Sequence, residues 1–167
     1  MPKVSSLLGS WQSHRALFLV TLSVMAADQL SKWWIRENLL LGQSLPKEGM
    51  WRLTHVANTG VIFGLSAPKT LSLVLPLLVI VAALFFYFRY TPFNSRLIKI
   101  ALGLLVGGSL GNLVDRLRLG YVTDFIDIRL WGDFHWPAFN LADLTIVIGA
   151  ILLVYFLQGL RKSSKNS

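Results

Sequence analysis

"PAFNLADLTIVIGAILLVYF" (Pro137–Phe156) decides how the chain is read. From Leu144 to Phe156 no residue is charged, yet Asp143 stands at the head of the run. A helix crossing a bilayer needs about 20 predominantly apolar residues, and this stretch supplies them. Asn140 lies three residues before Asp143, and asparagine is a favoured N-cap. An acid in the first turn also suits the positive end of the helix dipole. A helix over 141–157 with Asp143 as a capping acid is therefore the plain structural reading. A carboxylate so close to lipid has either a structural task of this kind or a chemical one.

Three further stretches share that character: Ala16–Ile35, Thr70–Tyr90 and Leu97–Val114. With 54% apolar and 14% charged residues among 167, the chain departs from soluble composition far enough to expect an integral membrane protein. The expected architecture is one mainly α domain with four transmembrane helices, at about 16–35, 70–90, 97–114 and 141–157. Segments 36–69 and 115–140 lie on one side. The first helix is too long, and carries Asp28 and Lys32 too late, to be a cleavable signal peptide. Without cysteine there is no thiolate nucleophile and no disulfide.

The net charge of +8 could suggest nucleic acid, but no basic patch is interleaved with aromatics. With the N-terminus placed in the cytoplasm, Lys3, Arg15, Arg89, Arg96, Lys99, Arg161, Lys162 and Lys165 face inward with no acid among them. The remaining bases share the outer side with every acid, so totals do not decide the orientation. The density of bases at the short inner ends favours both termini inside, beside anionic lipid. The first outer segment, "MWRLTHVANTGVIFGL", alternates like strand on both sides of a turn at Asn58-Thr59-Gly60. Pro68 precedes the second helix, Pro76 lies within it, and Thr91-Pro92 makes an inner turn. Long outer and short inner connections place function on the outer side.

Several acids fall there. Asp28 and Lys32 are four apart, the spacing of an intrahelical ion pair. Asp115 is expected to end the third helix, against the dipole, and so to need Arg116 or another base. In "GYVTDFIDIRLW" a strand would put Asp124 on a face with Ile126, Ile128 and Leu130, and Asp127 on the other. Of these two, Asp124 is the better functional candidate, because apolar surroundings raise a carboxylate's pKa. Two carboxyls held together share a proton. One can then take a proton from water while the other gives one to a carbonyl or leaving amine. "GGSLG" (Gly107–Gly111) matches a nucleophile elbow but lies within an apolar helix. Its glycines, with Gly103, read as a close helix-packing stripe. His14, His55 and His135 have no zinc-ligand spacing.

Taken together, "DQLSK" (Asp28–Lys32), "NTGVIFG" (Asn58–Gly64), "GGSLGNLVDR" (Gly107–Arg116), "VTDF" (Val122–Phe125) and "FNLAD" (Phe139–Asp143) resemble the bacterial lipoprotein signal peptidases, or signal peptidase II. The motifs run in that family's order across nearly the whole chain. The resemblance implies a four-helix aspartic endopeptidase of the bacterial plasma membrane, with its site facing outward and a small extracytoplasmic β-cradle around Trp51–Gly64. It implies cleavage of prolipoproteins just before a diacylglyceryl-modified cysteine, by a monomer in lipid, without metal or other cofactor. The catalytic pair falls on Asp124 and Asp143. Asp28, Lys32, Asn58, Gly60, Asn112, Asp115, Arg116 and Asn140 are the supporting polar or substrate-binding residues, with Asn112 and Asn140 orienting the acids and Arg116 pairing with Asp115. Thr123 is read as free to vary. The competing reading is a small proton-coupled carrier, although the acids cluster at one surface instead of threading the bilayer. A non-catalytic assembly subunit is a third reading, which leaves the polar outer residues without a task.

Overall fold

The computed structural model describes residues 4–62, 65–66, 69–90, 95–132 and 134–165. Pro68, the Thr91–Pro92 turn and the Phe63–Gly64 end of one motif lie outside them. Helix α1 runs Val4–Asn38, α2 Lys69–Tyr90, α3 Arg96–Leu119 and α4 Leu141–Lys165. Between α1 and α2 lie strands β1 (Ser44–Leu45), β2 (Trp51–Asn58), β3 (Val61–Ile62) and β4 (Leu65–Ser66). Between α3 and α4 lie β5 (Val122–Trp131) and β6 (Phe134–Phe139).

Three helices are long and apolar enough to cross a membrane, over Thr70–Arg89, Arg96–Leu119 and Leu141–Lys162. The four are longer than their apolar runs suggest. Residues 4–15 of the lead and part of the C-terminal tail are helical, since backbone hydrogen bonds continue where hydrophobicity stops. Helix α3 runs a full turn past Val114, so Asp115 lies inside it. Its end is set by Gly120, at φ 80°, whose N–H reaches the Arg116 carbonyl at 3.1 Å. Helix α2 passes through Pro76 without a break.

Helix α3 is the hub: 61% of its apolar window is buried, against 11% for α2 and 17% for α4. Its glycines explain how two of the helices, α1 and α4, come close to it. The Gly103 and Gly107 faces meet Val20, Thr21 and Val24 of α1, and Gly111 abuts the Asp28 carboxylate. Gly108 faces Ala142 and Thr145 of α4, while Gly149 of α4 rests on the Ala101 carbonyl of α3. Between α2, α3 and α4 a core forms around Ala83, Ile98, Ala101, Leu102, Leu105 and Leu153.

At one end of the helices lies an antiparallel sheet in the order β1-β2-β5-β6. Strand β2 pairs with β5 through Val56 opposite Asp124 and Asn58 opposite Val122, with an irregularity between Leu53 and Val56. The turn at Thr59-Gly60 is present. Beyond it, however, β3 leaves this sheet and pairs with β4. Ile35, Leu39 and Phe125 form a second apolar cluster that seats the sheet on α1.

A Cβ on Gly108 would stand 2.5 Å from the Ala142 carbonyl, which belongs to backbone and cannot yield. Gly108→Ala is expected to destabilise the fold by about 1–3 kcal/mol, the range for overpacking. Gly159→Ala, with open space around it, is expected to be neutral or mildly stabilising. Thermal unfolding in detergent compares the two.

Candidate active site

The site begins with the cap of α4. Asn140 Oδ1 accepts from the Asp143 N–H at 3.0 Å, and Asp143 Oδ2 accepts from the Asn140 N–H at 3.1 Å. This is a reciprocal capping box, which fixes the Asp143 side chain by the same bonds that start the helix. The next orphan donor, the Ala142 N–H, is taken by Asp28 Oδ1 from α1 at 3.0 Å. Two carboxylates from different helices therefore terminate one helix.

Asp124 comes to this cap along β5. Asn140 Nδ2 donates to its Oδ1 at 2.6 Å, and Asn58 Nδ2 donates to its Oδ2 at 2.9 Å. Asn58 is held in turn by the Gly60 N–H at 2.9 Å, in a turn where Gly60 adopts φ 104°, a backbone state that favours glycine. Asn112 of α3 completes the ring, with Nδ2 donating to Asp143 Oδ1 at 2.8 Å. Its Oδ1 accepts from Lys32 Nζ at 2.8 Å and from Asn140 Nδ2 at 3.2 Å. These two donors leave Asn112 one orientation, amide nitrogen toward Asp143. The acids are thus joined through Asn140 and Asn112.

Beneath them is a buried ionic layer. Lys32 and Asp28, both fully buried, pair at 2.8 Å within α1. Asp115 lies 3.7 Å from both Lys32 Nζ and Arg36 Nη1. Lys32 and Arg36 of α1 are therefore its partners, in place of the expected Arg116. Arg116 is half-buried, its charge felt by Asp143, Asp124 and Asp115, and its Nη1 makes a long 3.5 Å contact with the Asn112 carbonyl. All ten residues singled out in the sequence, Asp28, Lys32, Asn58, Gly60, Asn112, Asp115, Arg116, Asp124, Asn140 and Asp143, converge on this end of α3.

Sequence reading missed Gln29, Arg36 and Thr123. Gln29 Nε2 donates to the Gly111 carbonyl at 3.0 Å and to Asp115 Oδ1 at 3.2 Å. Thr123, read as free to vary, is fully buried and bonded through both its N–H and its hydroxyl. A signal for Arg36 was present: it lies four residues beyond Lys32 and eight beyond Asp28, on the same helical face.

Asp124 and Asp127 are both buried, yet they differ electrically. Burial and the nearby Asp143 push the Asp124 carboxyl up to about 7, against the hydrogen bonds from Asn58 and Asn140 and the charge of Lys32. For Asp127, burial pushes upward too. It is outweighed by His135 at 2.7 Å, Thr54 at 2.8 Å and Arg52 at 2.6 Å, which leave its carboxyl below the usual range. One acid of β5 is poised for proton exchange near neutral pH, and the other is a fixed anion pinning β2 to β5 and β6.

The family model described as signal peptidase (SPase) II matches residues 20–158. The chain belongs to the signal peptidase II family. It is 46% identical to the lipoprotein signal peptidase of Moorella thermoacetica, over 82% of this chain and 89% of that one. With the lipoprotein signal peptidase of Bacillus subtilis identity is 36%, over 89% and 96%. A bacterial membrane enzyme solved by the in meso method at 2.3 Å superposes with a TM-score of 0.76 at 29% identity, over 90% of this chain and 91% of that one. A second, at 1.9 Å, gives 0.73 at 28% identity, over 84% and 91%. The protein is therefore a membrane protein of an aspartic peptidase family, and the carrier reading is set aside.

The raised Asp124 carboxyl links folding to pH. The folded protein keeps this proton up to about 7, whereas the unfolded chain releases it near 3.8. The contribution to stability is therefore greatest below about 4 and falls as pH rises toward 7. Asp124→Asn is expected to flatten that part of the profile, measured as the pH dependence of unfolding in detergent.

Proposed function

We propose that this chain removes the signal peptide from diacylglyceryl-modified prolipoproteins, cutting just before the lipidated cysteine, with Asp124 and Asp143 as the catalytic pair. The observation that carries the reading is the bridge between these two carboxyls through Asn140 and Asn112, with the Asp124 proton held up to about 7.

The chemistry divides between the acids. Asp143 is an acceptor served by Asn112 Nδ2 and the Asn140 N–H, and it takes a proton from the attacking water. The water oxygen bonds to the scissile carbonyl carbon as Asp124 gives its proton to the carbonyl oxygen, leaving a neutral gem-diol. Asp143 then protonates the amide nitrogen and Asp124 recovers a diol proton as the C–N bond breaks. The products are a free carboxyl end and a free amine, and both acids return to their starting states. No step calls for a metal or other cofactor.

Charge and apolar surface support the membrane setting. Helix α1 is the fourth crossing helix. Phe18, Leu19, Leu22 and Leu30 are each more than 60% exposed, while its Asp28 and Lys32 neutralise each other in the interior. The whole chain is one integral domain, a monomer in the bacterial plasma membrane, with both termini cytoplasmic. The sheet forms the extracytoplasmic cradle over the site. Exposed Trp33 and Trp34 of α1 lie at the level of that interface. A lipidated signal peptide, itself a membrane-crossing helix, there presents a backbone that must unwind to be cut.

Asp124→Asn and Asp143→Asn are each expected to lower cleavage of a lipidated prolipoprotein in detergent by about a thousandfold or more, within the range of acid–base catalysis. Both variants should remain folded, since asparagine preserves the shape of either side chain. Near-normal turnover by either variant overturns the assignment of the pair.

A further inference from the structure

We propose that Arg36 is a positioning residue for Asp124, acting through Thr123. The inference rests on Asp124 being one of the two catalytic acids. Asp124 follows Thr123 directly in β5, and the Thr123 side chain is wholly enclosed. Two groups grip it. Asp115 Oδ2 accepts the Thr123 N–H at 2.9 Å, and Arg36 Nη1 donates to the Thr123 hydroxyl at 2.9 Å. Arg36 Nη1 also stands 3.7 Å from Asp115 Oδ1, so the guanidinium and the carboxylate hold each other as well as the threonine.

The consequence is geometric. Helices α1 and α3 supply one jaw each, and the entry to β5 is clamped where they meet. Neighbouring backbone pairs set the strand's position in the sheet, Asn58 opposite Val122 and Ala57 opposite Thr123. Those pairs fix register within the sheet but not where the entry of β5 stands against the helices. The Arg36–Thr123 bond ties that entry to α1, as the Asp115 bond ties it to α3, one residue from the acid that must reach Asn140 at 2.6 Å. Arg36 reaches Thr123 and Asp115, so its influence on the chemistry passes through the backbone of β5.

Arg36 is also suited to test. Its side chain is 20% exposed, so a partner lost there leaves it within reach of solvent. Thr123→Val keeps the branched shape and the backbone N–H bond to Asp115 while removing only the hydroxyl. Thr123→Ser keeps the hydroxyl.

With purified full-length protein in detergent and a lipidated prolipoprotein, Arg36→Ala and Thr123→Val are each expected to lower kcat about tenfold, with KM within about twofold of the parent. The double variant should be no worse than the more impaired single one, because both changes remove the same bond. Thr123→Ser should bring kcat back to within about twofold of the parent. All rates are taken well below each variant's unfolding temperature, so a purely stabilising role leaves kcat unmoved. The proposal is overturned if both single variants keep the parent kcat, if the two losses multiply in the double variant, or if Thr123→Ser is as slow as Thr123→Val. Asp124→Asn runs alongside. If it cleaves normally, the catalytic reading itself fails; if it is inactive while Arg36→Ala keeps the parent kcat, only the positioning role is lost.

Discussion

A single buried ammonium holds the site together. Lys32 Nζ, with three protons and no exposure, meets Asp28 at 2.8 Å and the side-chain oxygen Oδ1 of Asn112 at 2.8 Å, with Asp115 at 3.7 Å. Each of these partners performs a second task. Asp28 caps α4, Asp115 holds the start of β5, and Asn112 reaches Asp143. Four elements, α1, α3, β5 and α4, are thereby referred to one charge. Buried ions of this kind are a poor source of net stability, because desolvation offsets much of their attraction. What they impose is geometry: remove one member and the rest are left as unpaired charges in an apolar interior. The glycines of α3 complete the arrangement, since a side chain at Gly111 would strike the Asp28 carboxylate.

Most of this was legible in sequence for physical reasons. Long apolar runs announce helices, and α2 and the starts of α3 and α4 fall within a residue of where hydrophobicity begins. Asn140 and Asp143 announce a cap because their spacing is that of a capping box. Asp28 and Lys32 announce a pair by the pitch of the helix. What sequence could not show is whatever depends on the approach of distant elements. Nothing local says that Asp28 would serve α4, or that Asp115 would be met by Arg36 from α1 in place of its neighbour Arg116. The extent of α3 was misjudged for a related reason. Arg116 and Arg118 end the apolar run, but the backbone continues until Gly120 allows it to turn. Thr123 was overlooked because a threonine in a strand looks interchangeable until its enclosure is known.

The contrast between the acids of β5 shows how position, not residue type, sets a carboxylate's role. Asp127 has an arginine, a histidine and a threonine hydroxyl and so behaves as a structural anion. Among the described residues, the groups that hydrogen-bond Asp124 are amides, those of Asn58 and Asn140. An amide donor stabilises a carboxylate less than a cation does, so it can fix the side chain without committing its charge.

That distinction explains why asparagines stand between the two acids of the proposed pair. A lysine or arginine in direct contact with Asp124 would hold it ionised, and a pair of anions has no proton to deliver. An apolar neighbour would leave the rotamer free. Asn140 and Asn112 supply fixed donors and no net charge, while Lys32 acts one bond further away by polarising the Asn112 amide whose nitrogen serves Asp143. The Arg116 charge acts more strongly on Asp143 than on Asp124. In the proposed pair, two chemically identical side chains are thus separated into an acceptor and a donor by their surroundings alone.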